Sequence, residues 1–116
     1  MLVIACAVAT LFHHAHNAQF LHDYPNMPAW LARGHVYAAW LCATAIGLIG
    51  YWSLRRGYRV LGVALLIAYG LYGLDGLVHY MRAPLSTHTL TMNLSIGLEA
   101  ATGAALLILL LRRRHE

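Results

Sequence analysis

Four of the chain's eight histidines, His13, His14, His16 and His22, fall within ten residues in the stretch FHHAHNAQFLHD. Imidazole is the commonest metal-ligating side chain and the usual axial ligand of haem, and a ligating ring needs a partner on its other nitrogen to fix its orientation. Such partners recur beside the histidines. Asn17 follows His13 by four residues, Asp75 precedes His79 by four, Met92 follows His88 by four, and Glu99 lies further along the same apolar run as His88. The chemistry implied is ligation of a transition metal or haem, with carboxyl and amide groups that orient imidazoles or move protons.

These residues are carried by elements that belong in a bilayer. The chain has 116 residues, 60% of them hydrophobic and only 10% charged, too little polar surface to cover a soluble globule. About 20 apolar residues span a bilayer, and four runs reach that length, roughly 2–20, 34–54, 58–81 and 86–111. The sequence therefore predicts an all-α, integral membrane four-helix bundle, one transmembrane domain over 1–116. All eight basic residues are arginine. Arg55, Arg56 and Arg59 lie in the second connector and Arg112, Arg113 and Arg114 in the tail, which puts that connector and both termini in the cytoplasm of a bacterial-type inner membrane. The first run lacks the basic start of a secretory signal and is expected to be retained. Clusters of this kind beside apolar runs read as topology signals, and no nucleic-acid surface is expected. Cys6 and Cys42 both fall inside apolar runs and offer no disulfide framework.

Facing and depth sharpen the pattern. At about 100° per residue, Cys6, Thr10, His13, His16 and Asn17 share one stripe of the first helix, and His14 points away from it. His22 and Asp23 belong to the outer loop. On the third run Asp75 and His79 stand one turn apart, with Tyr72 on the same side. The fourth presents His88, Thr91, Met92, Ser95, Glu99 and Thr102 as a polar stripe. Counted from the outer ends, His13, His16, His35, His79 and His88 come to one level near the periplasmic surface, and Glu99 lies roughly 17 Å inward of His88 at 1.5 Å per residue. Ionisable groups at such depth are costly and usually face the bundle interior.

The expected site is thus metal-binding through His13, His16, His35, His79 and His88. Asn17, Asp75, Met92 and Glu99 stand behind them as orienting or proton-relay groups. Copper, zinc and iron all accept such donors, with Met92 as a soft candidate for Cu(I), and two histidines at equal depth on facing helices would suit a b-type haem. A di-iron oxygenase needs more carboxylates and paired motifs than the chain offers. No Walker, Rossmann, GxSxG, CxxC or HExxH pattern is present. The function expected is metal handling or electron transfer. The other class is a non-catalytic accessory or assembly subunit of a larger membrane complex, with the histidines as interhelical or partner contacts. Small residues at Gly70, Gly73, Gly76, Gly97, Gly103 and nearby alanines let another helix approach, and so invite a homodimer or a larger membrane partner.

Overall fold

The computed structural model describes residues 2–112. Five α-helices follow one another: α1 Leu2–Gln19, α2 Arg33–Arg55, α3 Arg59–Tyr72, α4 Val78–Arg82 and α5 Leu90–Arg112. No strand occurs among the described residues. Three stretches are long and apolar enough to cross a membrane, namely Arg33–Arg55, Arg59–Arg82 and Leu90–Arg112. Helix α1 is not one of these three. Its 18 residues extend about 27 Å at 1.5 Å per residue, and its last two turns are interrupted by His13, His14, His16 and Asn17.

The chain doubles back at each connector, so α1 packs on α2, α2 on α3, α3 on α5, and α5 returns to α1. Between α2 and α3 the reversal is tight. Gly57 has φ +88°, the left-handed region that favours glycine. Its N–H donates to the Leu54 carbonyl at 3.1 Å and the Tyr58 N–H to the Ser53 carbonyl at 2.9 Å. That is the Schellman pattern which satisfies the last carbonyls of a helix.

Between α3 and α4 the rod expected as one continuous span is broken. Gly73 and Leu74 leave α3, Asp75–Leu77 form a 3-10 turn, and α4 resumes at Val78. Gly70, Gly73 and Gly76 lower helix propensity here, but the stronger cause is close packing. A Cβ on Gly73 would sit 2.9 Å from the Gly103 Cα, and one on Gly103 would sit 2.8 Å from the Gly70 carbonyl oxygen. These glycines, expected to receive an outside helix, bring α3 against α5 inside the molecule. At the start of α5 the Met92 N–H donates to Thr89 Oγ1 at 3.2 Å. The cap is thus Thr89.

The interior has two layers of opposite character. Val3, Cys6, Ala43, Leu66, Tyr69, Leu106 and Leu110 form an apolar cluster toward the end that holds the Gly57 turn. In the other half Thr10, His13, His14, Asn17, His79, His88, Ser95 and Glu99 are buried alongside Ala18, Leu21, Tyr24, Val36, Met92 and Ile96, while Leu11, Phe12, Leu71, Leu94 and Leu98 stand exposed around them. Buried polar groups are thus concentrated in this half.

Candidate functional site

Helix α1 touches both α2 and α5, so its buried face is wide: Val3, Cys6, Thr10, His13, His14, Asn17 and Ala18. His14, assigned to the outside by periodicity, is therefore buried beside His13. Two imidazoles on consecutive residues flank one carboxyl group. His13 Nε2 lies 3.6 Å from Glu99 Oε2 and His14 Nδ1 lies 3.5 Å from Glu99 Oε1. Glu99 is fully buried. The backbone at Gly76 comes so near that a Cβ there would sit 2.5 Å from Glu99 Oε2, which ties the break after α3 to the placing of this acid.

Hydrogen-bond partners fix most of the proton positions. The His14 Nδ1–H donates to the Thr10 carbonyl at 2.9 Å, which leaves Nε2 to accept from the Tyr72 hydroxyl at 2.6 Å. The Ser95 hydroxyl donates to the Met92 carbonyl at 2.9 Å, so His13 Nδ1–H donates to Ser95 Oγ at 3.1 Å and Nε2 turns its lone pair toward Glu99. His88 Nδ1–H donates to the Pro84 carbonyl at 3.0 Å. Its Nε2 lone pair is buried and has no partner. Asn17 Nδ2 donates to His79 Nε2 at 3.3 Å, so the His79 proton sits on Nδ1, which is also buried without a partner.

The rings stand against one another. His13 and His79 have centroids 5.3 Å apart, and His79 and His88 6.2 Å apart, edge to face in both pairs. Tyr24 closes the cluster from the first connector, its ring 4.8 Å from that of His79 and its hydroxyl 2.9 Å from His16 Nδ1. Although it lies in a connector, Tyr24 is only 2% exposed. Burial pushes its phenol up to about 12, so the hydroxyl stays protonated and donates to His16. Tyr80 packs on His88, with centroids 5.4 Å apart, and donates to Asn93 Oδ1 at 2.8 Å.

The remaining expected residues are placed differently. His35 is exposed at the start of α2, where its Nδ1 accepts the Ala32 N–H at 3.1 Å. Asp75 is exposed, and the hydrogen bond to His79 comes from Asn17 rather than from Asp75. Met92 is buried, and its carbonyl anchors Ser95. His16 is half-buried at the edge of the cluster. Beside the cluster a cavity of about 250 Å³ runs between α1, α2 and the broken rod, lined by His13, His14, Tyr72, Asp75, His79 and Arg82 among others. His14, Tyr24 and Tyr80 were missed as site residues; of the three, only His14 carried a signal, its place next to His13.

Among the described residues no three histidine, cysteine, aspartate or glutamate side chains are grouped so as to hold a metal ion as they stand. What the cluster does contain is a concentration of buried atoms without partners: Asn17 Oδ1, His79 Nδ1, His88 Nε2 and both Glu99 oxygens. Each such atom costs on the order of 1–3 kcal/mol. Comparison with known protein families, with curated proteins and with solved structures finds no match.

Proposed function

We propose that this is a multi-pass inner-membrane protein that binds one transition-metal ion among His13, His79, His88 and Glu99, for metal handling or electron transfer. The observation that carries the reading is the group of partnerless buried atoms on Asn17, His79, His88 and Glu99. Turning the Asn17 amide over would give Oδ1 a partner and change the tautomer of His79. Its Oδ1 would accept a proton on His79 Nε2, and His79 Nδ1 would be left bare as a ligand. His13 and His88 each already hold Nδ1 against a hydroxyl or carbonyl oxygen, the usual second contact of a ligating imidazole. Two imidazoles bound to one ion at about 2.0–2.1 Å have centroids roughly 5–6 Å apart, near the observed 5.3 and 6.2 Å. The reading requires side-chain rotations that draw the donors to one point from their present places, where His79 stands beside both His13 and His88 and Glu99 beside His13. Imidazole and carboxylate together suit zinc, iron or copper(II). The rings meet edge to face with no flat slot between them, which favours an ion over a porphyrin.

Support for the membrane placement is the many large apolar side chains exposed on the helices, together with three stretches of sufficient length and apolarity. The test is elemental analysis and metal titration of protein purified in detergent. One equivalent of metal is expected, lost in His13→Ala, His79→Ala and His88→Ala and retained in His22→Ala and His35→Ala. Absence of metal at stoichiometric level, in protein that purifies only with a larger complex, would overturn this reading in favour of the accessory subunit.

A further inference from the structure

At the end opposite the histidine cluster the helices part. A groove of about 1150 Å³ opens there. Its floor is Leu66, Leu106 and Leu110, which belong to the buried apolar cluster, and Leu54, Val63 and Ile67 form its walls. Arg55 and Arg59 stand on the same lining. The Schellman turn at Gly57 fixes the backbone between them, so the end of α2 and the start of α3 offer both guanidiniums at the groove. Nothing acidic compensates them among the described residues, since Asp23, Asp75 and Glu99 all lie in the other half of the molecule. Among the described residues the carboxylate–base pairs within 4 Å are those of Glu99 with His13 and His14. Arg56, by contrast, is occupied over the Trp52 ring at 5.0 Å.

An aliphatic trough with two uncompensated arginines has the chemistry of an amphiphile site. We infer that the groove binds one anionic glycerophospholipid of the inner leaflet, its phosphate on Arg55 and Arg59 and an acyl chain along Leu54, Leu66 and Leu106. Charge chooses this occupant over a helix or a second copy of the chain. A helix would bring an apolar side to the trough but nothing for the guanidiniums, and the other copies of this end are equally basic. The inference rests on the membrane reading above and is independent of the metal site.

Native mass spectrometry of the detergent-purified full chain tests it, with phosphatidylglycerol compared against phosphatidylcholine of the same acyl chains. One phosphatidylglycerol should be retained with a preference of about thirtyfold, as expected for two arginines near a lipid surface. Arg55→Gln with Arg59→Gln should bring that preference close to one. Ala64→Phe, which projects into the groove and keeps both arginines, should weaken both lipids together, and it stands as the test if the double variant does not accumulate. Equal retention of the two lipids, an unaltered preference in the double variant, or undiminished binding in Ala64→Phe would each overturn the inference. A chain that stays in solution without detergent would instead refute the membrane reading itself.

Discussion

Glu99 is the side chain on which the candidate site turns. It is fully buried, faces two imidazoles, and its oxygens have no hydrogen-bond partner. Glu99→Gln keeps the volume and removes the charge. Metal affinity should fall by at least about 10- to 100-fold, the range for groups that only orient the ligands, while the circular dichroism of the helices stays unchanged. An unaltered titration would remove Glu99 from the ligand set. The sequence marked Glu99 as an acid deep in an apolar run, and expected it to act as a relay well inward of the histidines; its place beside His13 and His14 was not legible there. His14 and Tyr24 were not legible as members of the site. Periodicity assigns one face to a helix with one neighbour, whereas α1 has two, and its buried arc widens to take in consecutive residues. A connector side chain such as Tyr24 carries no period at all.

The break between α3 and α4 escapes hydropathy for a related reason. Leu, Tyr and Val around Gly73 and Gly76 keep the stretch apolar, and an apolar run reads as one helix whether or not its backbone hydrogen bonds are continuous. What decides the break is the contact of Gly73 with Gly103, set by packing between elements far apart in the chain. Gly103→Ala should therefore be destabilising. Its Cβ would meet backbone at 2.8 Å and 2.9 Å, which no side-chain rotation can relieve, and a cost of about 1–3 kcal/mol is expected for such overpacking. Gly97→Ala on the same helix meets nothing within 4 Å and should be neutral or stabilising by up to about 1 kcal/mol, as usual for this exchange in a helix. Thermal unfolding of both variants in detergent checks the pair, and equal losses would refute this account of the break.

Across the whole molecule, length and apolarity were readable early, and so was the clustering of arginines at one end. Which side of each helix is enclosed was readable only in part, because the polar stripes were expected to face inward while the burial of His14 needs all the helices in place. One small feature of the outer end then acquires a kinetic meaning. Asn26, at φ 56°, donates from Nδ2 to the Arg82 carbonyl at 2.8 Å, and Arg82 Nη1 donates back to the Asn26 carbonyl at 3.3 Å. The pair fastens the connector that carries Tyr24 over the His79 ring, yet it touches none of the proposed ligands. Its effect is consequently on traffic rather than on affinity: Asn26→Ala should speed both uptake and release of the ion in stopped-flow measurements, leaving their ratio nearly constant. A changed ratio would mean that the connector holds the ion instead of timing its passage. If the proposed ion occupies the cluster, its residence time would be set by this latch between the connector and the end of α4, separately from the histidines proposed to bind it.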